Sequence, residues 1–262
     1  MTDFAPGIYE LLLTELLQSR IEKLDPRTLS TAKLDAAEAA DRIALLLERV
    51  VRRAVASVGE SDRVDFGIRV ARRLVEELAR SASGVVSTDD LPVESGEVLR
   101  AILTLGIDGT PKEIAYPATP LLDTALLTNA PGEPRVGYQL ASEIPSADGI
   151  DVVMAFIRMT GIQPLISALA EHCGNGKALR VLTTTYTRST EARALDELQR
   201  IGADIRVSYD TSSTRLHAKA WLFHRKSGFS TAYVGSSNLT HSAQVSGLEW
   251  NVRVSGARNP AV

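Results

Sequence analysis

The sequence contains only one cysteine, Cys173, among its 262 residues. A single cysteine excludes an internal disulfide framework and a cysteine-rich zinc site, and it fits a reducing compartment. The chain also lacks an apolar run of about 20 residues, which a membrane-spanning helix requires. Its first residues, MTDFAPG, have no basic segment of the kind that begins a signal peptide. From these absences we expect a cytoplasmic protein.

The chain also has little net charge of either sign. Its 29 Lys and Arg residues and 32 Asp and Glu residues give a formal net charge of -3, and 44% of all residues are hydrophobic. This balance is typical of a folded globular protein and gives no overall attraction for nucleic acid. Residues 177–226 differ, because ten Lys or Arg stand there against five Asp or Glu. We therefore expect any contact with a polyanion to be local.

The hydrophobic pattern divides the chain into three parts. Residues 1–82 have apolar residues at helical spacing and predict a small all-helical N-terminal domain, with one helix beginning after Asp35 and another after Asp62. Residues 83–118 are rich in Pro and Gly and predict a connector. In the helix after Asp35 the residues expected to face inward are Ile43, Leu46, Leu47, Val50 and Val51. The helix after Asp62 is expected to run through Val70, Leu74 and Leu78.

The third part, residues 119–262, alternates between strand and helix patterns. This alternation predicts an α/β domain with a mixed β-sheet and flanking helices. Apolar runs at 150–156 and 178–184 predict strands that are buried on both faces. Further strands are expected at 204–209, 216–223, 231–235 and 250–254, and helices at 161–169 and 189–201.

Two polar residues, His217 and Lys219, interrupt the predicted strand 216–223. Residues two apart in a strand point to the same face, so both side chains emerge together. Ser236 and Asn238 follow the returning strand with the same spacing. An imidazole can attack phosphorus, and ammonium and amide groups can hold the phosphate oxygens. The alternative is a buried structural histidine and an ordinary turn, but the combination is much less common than either feature alone.

The pattern His217-x-Lys219 followed by Gly235-Ser236-x-Asn238 resembles the H-x-K…G-S-x-N signature of the phospholipase D superfamily. Members of this superfamily cleave phosphodiesters in lipids or nucleic acids through a phosphohistidine. The resemblance implies a phospholipase-D-like fold, no cofactor and no metal.

The resemblance extends to Glu249, whose spacing from Asn238 is that of the family's small nucleases. It also assigns a role to each residue of the motif. The implied roles are nucleophile for His217, phosphate binding for Lys219 and Asn238, a supporting hydroxyl for Ser236, and control of the imidazole tautomer for Glu249.

The chain departs from the family at one position and contains one motif where the active site needs two. His224 stands where the family often has an aspartate, and strand parity places it opposite Lys219, so we interpret it as structural. The superfamily uses one histidine to attack and another to protonate the leaving oxygen. We therefore expect a homodimer whose two-fold axis passes through the active site.

Longer segments, including SADGIDVVMAFI and LRVLTTTYT, are similar to the N-terminal region of bacterial superfamily 2 helicases that begin with a phospholipase-D-like nuclease module. This resemblance covers about residues 119–256. It implies a nucleic-acid substrate, DNA rather than RNA, and a helicase core in the full-length protein. No Walker A loop is present in the sequence, so we expect an N-terminal fragment of such a protein.

Thr185, Tyr186 and Arg188 follow the predicted strand 178–184. Loops at strand ends in α/β sheets tend to line ligand crevices, so we predict substrate contacts for these three residues. The alternative is a loop with ordinary turn chemistry.

The sequence thus predicts a metal-independent phosphodiesterase, a nuclease that acts on DNA through a phosphohistidine in a homodimeric site. A second hypothesis is a nucleic-acid-binding module of the helicase without turnover, which His224 favours. A phospholipase or phosphatidyl transferase ranks third, because the sequence has no evident amphipathic membrane-binding helix.

Overall fold

The structure is a computed structural model that describes residues 5–186, 188–210 and 215–259. The chain divides into two compact units, Met1–Arg100 and Ala101–Val262. The finer limits of the connector at 83–118 remain a prediction. In the part of the chain that the structure describes, no helix combines the length and the apolar character needed to cross a membrane.

From residue 5 onward, the first unit contains three α-helices, each with a polar or glycine residue before its first turn. The helices are α1 Glu15–Ile21, α2 Ala36–Ala56 and α3 Glu60–Ser81. The Thr14 hydroxyl accepts a hydrogen bond from the Leu17 N–H, and the Asp35 carboxylate accepts one from the Ala37 N–H, so both side chains act as N-caps. Asp35 was predicted to begin the long second helix, and it does.

The apolar faces of these helices are more exposed than the sequence predicts. No residue of α1, α2 or α3 is buried. Each contact between two helices buries only a narrow strip of side chains, so three helices leave part of every apolar face exposed. Leu46, Val51 and Val70 are half-buried. The inward-facing prediction is wrong for the three α2 residues that are at least 40% exposed, namely Ile43, Leu47 and Val50.

Seven strands form one mixed sheet within the described part of the second unit. In chain order they are β1 Ala125–Leu127, β2 Gly149–Met154, β3 Ala178–Thr184, β4 Asp204–Ser208, β5 Lys219–His224, β6 Thr231–Gly235 and β7 Asn251–Ser255. Their order across the sheet is β1-β7-β6-β5-β2-β3-β4. The pairs β2–β3 and β3–β4 are parallel and the others are antiparallel. The predicted α/β fold with a mixed sheet is confirmed.

In the described part of the second unit, four α-helices flank the sheet. They are α4 Val136–Glu143, α5 Met159–Ile162, α6 Ile166–Gly174 and α7 Ala192–Arg200. The single helix predicted at 161–169 is wrong, because Pro164 separates α5 from α6. Proline has no N–H, so Pro164 cannot donate the backbone hydrogen bond that would continue the helix.

Strand β3 is buried on one face only, which corrects the prediction of two buried faces. Leu179 and Val181 belong to the hydrophobic core, whereas Arg180 and Leu182 point to the opposite, exposed face. On that face the Arg180 guanidinium forms an ion pair with Asp151 of β2, with 2.6 Å between Nε and Oδ1. The outer face of both strands is therefore partly polar, and β2 alternates between buried and half-buried residues.

A buried charge cluster lies between α4 and the sheet. Glu143, with 0% exposure, accepts hydrogen bonds from Arg225 at 2.5 Å, from Arg253 at 2.8 Å and from the Tyr233 hydroxyl at 2.9 Å. Burial raises the pKa of Tyr233, and the neighbouring Glu143 carboxylate raises it further. Arg253 also donates to the backbone carbonyl of Asp123 at 2.7 Å. These bonds compensate the buried charges and fix β7 against the segment before β1.

Candidate active site

The residues of the predicted catalytic set lie at one edge of the sheet. Strands β5, β6 and β7 are antiparallel neighbours, so the start of β5, the end of β6 and the start of β7 lie side by side. Lys219 is the first residue of β5, Ser236 follows β6, and Glu249 precedes β7. The sheet topology thus joins three segments that are separate in the sequence.

His217 lies just before β5 and not within it, so the predicted strand began three residues too early. It still meets Lys219. The Lys219 Nζ donates to the His217 carbonyl oxygen at 2.8 Å and lies 3.0 Å from Nδ1 and 3.2 Å from Nε2 of the ring. A ring nitrogen can accept from an ammonium only when the imidazole is neutral, which is also the form that can attack phosphorus.

The surroundings of the two side chains differ. His217 is exposed, whereas Lys219 is only 9% exposed. The ring of Phe156 meets the imidazole edge-on with 5.9 Å between centroids, and the Lys219 Nζ lies 6.0 Å from the Phe156 centroid. Burial lowers the pKa of Lys219, and the Glu249 carboxylate opposes this shift. The ammonium therefore sits in a partly desolvated place, where its charge acts strongly on an anion.

The loop after β2 holds Asn238. The Phe156 N–H donates to Asn238 Oδ1 at 3.2 Å, and the Leu239 N–H donates to the Phe156 carbonyl at 3.1 Å. The Arg158 N–H donates to the Leu239 carbonyl at 3.0 Å. Because Oδ1 is engaged in this way, Nδ2 points away from Phe156 and can donate to a phosphate oxygen.

Ser236 and Glu249 form a direct pair. The Ser236 hydroxyl donates to the Glu249 carboxylate, and the Trp250 N–H donates to the Ser236 Oγ at 3.0 Å. Gly235 makes this approach possible, because a Cβ there would lie 2.2 Å from the Trp250 carbonyl oxygen. Among the hydrogen bonds of the described residues, none joins Glu249 to His217. Control of the imidazole tautomer by Glu249 therefore stays a proposal.

Thr185, Tyr186 and Arg188 follow β3 at the same edge as His217, because β3 runs parallel to β2 and β2 antiparallel to β5. The Arg188 N–H donates to the Thr185 carbonyl at 2.9 Å, and Arg188 has a left-handed φ of 57°. The Arg215 guanidinium lies 5.1 Å from the Tyr186 ring centroid and 3.4 Å from its hydroxyl. Sequence reasoning missed Arg215, although it stands two residues before His217.

His224 lies at the far end of β5 from His217 and faces away from Lys219, as strand parity predicted. Its Nε2 lies 2.9 Å from Oδ2 of Asp151. Burial alone would raise the pKa of Asp151, but hydrogen bonds from Arg180 and His224 hold it below its usual value. His224 thus belongs to a group of charged surface residues at the opposite end of β5 from His217.

Two buried amides beside the site gave no recognisable signal in the sequence. Asn129 has a φ of 56°, and its Nδ2 donates to the carbonyls of Ala243 at 2.7 Å and Gly247 at 3.2 Å. It thereby holds a π-helical turn, Ser242–Ser246. Gln244 lies in this turn and lines a small cavity together with Lys219 and Asn238. Within the described ranges, no group of three His, Cys, Asp or Glu is placed to hold a metal ion.

Comparison with known proteins concerns mainly the second unit. Residues 140–260 match a family model described as "Cardiolipin synthase, PLD-like domain". No curated protein sequence matches the chain significantly. Nuc from Salmonella typhimurium, described as a phospholipase D family member, is 19% identical, with a TM-score of 0.40 over 51% of this chain and 82% of that chain.

Two further solved structures are also similar to part of the chain. NucT from Helicobacter pylori is 11% identical, with a TM-score of 0.39 over 52% of this chain and 87% of that one. Yeast tyrosyl-DNA phosphodiesterase is 12% identical, with a TM-score of 0.33 over 50% of this chain and 31% of that one. The segment 140–260, which carries every residue of the predicted catalytic set, thus matches a phospholipase-D-like domain.

Proposed function

We propose that this chain is a metal-independent phosphodiesterase that cleaves DNA through a phosphohistidine on His217. The observation that carries the proposal is that Lys219 contacts His217 and lines one cavity with Asn238, while Ser236 and Glu249 pair at the same end of the strands. The match of residues 140–260 to a phospholipase-D-like domain supports the reaction class.

The reaction proceeds in two displacements. A ring nitrogen of His217 attacks phosphorus, a P–N bond forms, and the bond from phosphorus to the leaving oxygen breaks. An imidazolium from a second motif gives its proton to that oxygen. Water then attacks phosphorus, the second imidazole takes the water's proton, and the P–N bond breaks. Throughout, Lys219 and Asn238 donate to the non-bridging oxygens, where negative charge must be stabilised.

We propose that a second copy of the chain supplies the second histidine. The sequence contains two His-x-Lys triplets, but the second, His224-x-Lys226, lies at the far end of β5 from the proposed site. The site therefore holds one histidine of this kind, His217, which is exposed. A two-fold axis through the site would give His217 and its symmetry mate the two roles. When inactive His217→Ala subunits are mixed with wild type and allowed to exchange, a shared site predicts that activity falls as the square of the wild-type fraction. A linear fall would contradict the dimeric site.

Nucleic acid is the substrate that the neighbouring side chains support. Tyr186 and Arg215 offer an aromatic ring and a guanidinium at the same edge, and such groups stack on bases and bind phosphates. The local excess of Lys and Arg in residues 177–226 favours a polyanion in this region. We propose DNA as the substrate and Thr185, Tyr186 and Arg188 as contacts to it.

The deciding experiment incubates single- and double-stranded DNA with the protein in the presence of EDTA. Cleavage by wild type and none by His217→Ala is expected, together with a phosphoryl adduct on the His217 peptide after alkaline quenching and mass spectrometry. Equal cleavage by both proteins would reveal a contaminating nuclease and would remove the support for this function.

The alternative is a nucleic-acid-binding module that has lost turnover. Two observations favour it: Glu249 is bonded to Ser236 and not to the imidazole, and His224 stands where the family often has aspartate. DNA binding measured by fluorescence anisotropy, with no adduct on His217 after long incubation, would establish it. A trapped adduct would exclude it.

A phosphatidyl transferase ranks third. The description of the matching family model names cardiolipin synthase, which is the reason to test it. Phosphatidylglycerol vesicles should give no cardiolipin and no glycerol release above the rate of His217→Ala. Turnover of the lipid that depends on His217 would reverse the ranking.

We also propose that the chain serves as the N-terminal module of a larger helicase. This proposal rests on the sequence resemblance over residues 119–256. Fused ahead of a superfamily 2 helicase core, the chain should couple DNA cleavage to ATP hydrolysis. Cleavage rates that do not respond to ATP in such a fusion would count against this context.

A further inference from the structure

Gln244 is a buried amide without a hydrogen-bond partner among the described residues. Gln244 is 2% exposed, and neither its Oε1 nor its Nε2 has a hydrogen-bond partner in the described ranges. A buried polar group without a partner destabilises a fold by about 1–3 kcal/mol, so native proteins contain few of them. An apolar residue would pack at this position at a lower free-energy cost.

The local structure holds Gln244 in this position. It lies in the π-helical turn Ser242–Ser246, where the Gly247 N–H donates to the Ser242 carbonyl at 2.5 Å. Asn129 fixes both ends of this turn and also accepts from the Val136 N–H at 2.8 Å, which links the turn to α4. π-helical turns are rare and frequently occur at functional sites.

Helix α4 comes very close to the Gln244 side chain. A Cβ at Gly137 would lie 3.1 Å from the Gln244 Cβ and 3.4 Å from its Oε1. Such distances are tighter than ordinary van der Waals contact, so any side chain at 137 would press on the amide. The turn and the helix together leave the Gln244 side chain little room to move.

The amide faces the residues that are proposed to bind phosphate. The cavity that Gln244 lines is also lined by Lys219 and Asn238. Two other polar residues in its wall, Ser237 and Asn251, are bonded to each other, with 2.7 Å between Asn251 Nδ2 and Ser237 Oγ. Gln244 thus shares this wall with the side chains of Lys219 and Asn238, and its own amide has no partner among the described residues.

We propose that Gln244 is a positioning residue for the phosphate clamp, linked to Lys219 and Asn238 by one ordered water in their shared cavity. The cavity measures about 10 Å³, which is the room that a single water requires. The water accepts a hydrogen bond from the Lys219 ammonium and donates one to Gln244 Oε1. This bond fixes the position of the ammonium, and another of its hydrogens can then donate to the phosphate. This inference rests on the proposed function, because it assigns Gln244 to the same clamp.

The test compares Gln244→Met and Gln244→Glu with wild type. Methionine keeps the length of the side chain and removes its hydrogen bonds, whereas glutamate keeps the shape and adds a negative charge. Gln139→Met is the matched control, because Gln139 is a glutamine on α4 that is 3% exposed and bonds to Thr119 at 2.9 Å, away from this cavity. All proteins are titrated with inorganic vanadate as a phosphate mimic, and the pKa of Lys219 is measured by NMR of its Cε and Nζ.

Gln244→Met is expected to bind vanadate about tenfold more weakly, which is the loss of one hydrogen bond to a charged group. It should also lower the pKa of Lys219, while Gln244→Glu should raise it. The charged or titratable groups near Lys219 are His217, Glu249 and Tyr233, and none of them is changed by these substitutions. Gln139→Met should alter neither readout.

The inference is overturned if Gln244→Met leaves both vanadate affinity and the pKa of Lys219 unchanged, since Gln244 would then only fill space. If Gln244→Met does not fold, an unchanged pKa of Lys219 in Gln244→Glu overturns it equally. If the wild type itself does not bind vanadate, the proposed clamp fails, but the shift in the pKa of Lys219 still decides whether Gln244 acts on the ammonium.

Discussion

The ammonium of Lys219 lies 2.8 Å from the carbonyl oxygen of His217 and 3.0 Å from Nδ1 of the same residue. One cation therefore holds both the main chain and the ring of the proposed nucleophile. This contact places the positive charge within reach of any phosphate that the imidazole attacks.

Removing that charge should abolish most of the activity. Lys219→Met keeps the length of the side chain and is expected to lower kcat for phosphodiester cleavage about 100-fold or more. A loss of this size is typical when an enzyme loses one group that stabilises the negative charge of the transition state. Lys219→Arg retains the charge, but its planar guanidinium must fit a place that is 9% exposed, so partial activity is expected. Wild-type kcat in Lys219→Met, measured on a small aryl phosphodiester, would contradict the clamp.

The pH dependence of cleavage should reveal the burial of Lys219. Burial lowers its pKa from 10.5, so the alkaline limb of the kcat/KM profile should lie below pH 10.5. Glu249 opposes the shift, and Glu249→Gln should therefore move this limb to still lower pH. A limb that stays in place in Glu249→Gln would show that the carboxylate does not act on the ammonium.

The same lowered pKa has a consequence for stability. Between the pKa of folded Lys219 and 10.5, the unfolded chain binds more protons than the folded chain. The free energy of unfolding should therefore rise with pH across this window, and Lys219→Met should remove the rise. Urea denaturation of both proteins at several pH values measures it.

Two substitutions of Asn238 should distinguish its structural role from its proposed phosphate-binding role. Asn238→Asp keeps the oxygen that accepts from the Phe156 N–H but replaces the Nδ2 donor by a negatively charged oxygen. We expect near-native thermal stability and a large loss of vanadate binding. Asn238→Ala should lose both, with a destabilisation of about 1–3 kcal/mol from the unpaired N–H. Phosphate-mimic binding that survives in Asn238→Asp would refute the assigned role.

Much of this site could be predicted because it rests on short-range spacing. Two-residue spacing placed His217 beside Lys219 although His217 proved to lie before the strand. The Ala218 carbonyl still accepts a hydrogen bond from the Ala155 N–H at 3.0 Å, so the backbone remains bonded to the neighbouring segment there. The bond from the Phe156 N–H to Asn238 joins residues that lie far apart in the sequence, and no local pattern encodes it. Likewise, the exposed side of β3 could not be inferred, because apolar Leu182 lies beside Arg180 and only the packing of helices decides which face is covered.

Substitutions in the buried charge cluster should lower the free energy of unfolding more than substitutions in surface ion pairs. Glu143→Gln leaves two buried arginines without their carboxylate and is expected to destabilise the fold by about 3–5 kcal/mol. Glu197 is the control, because its ion pair with Arg200, at 2.6 Å, lies on the surface of α7. Glu197→Gln should change the midpoint of urea unfolding little. Comparable losses in both variants would contradict the distinction between buried and exposed pairs.

The ring of Tyr186 should matter for oligonucleotides and not for small esters. Tyr186→Leu is expected to raise KM for single-stranded DNA about tenfold, because base stacking on an aromatic ring contributes roughly 1–3 kcal/mol. Tyr186→Phe keeps the ring and loses only the hydroxyl contact with Arg215 at 3.4 Å, so it should behave almost as wild type. Equal KM values in Tyr186→Leu and wild type would remove Tyr186 from the binding surface.

Strand β7 carries Arg253 in the interior, and Glu249 lies just before its first residue. Because side chains alternate along a strand, a slip of β7 by one residue against β6 would turn Arg253 outward and leave Glu143 short of a cation. The same slip would part Glu249 from Ser236. The buried ions thus favour the correct register of β7 during folding, because a chain that separates Glu249 from Ser236 also leaves a charge unpaired in the core. Only the sheet with the correct register avoids that free-energy cost.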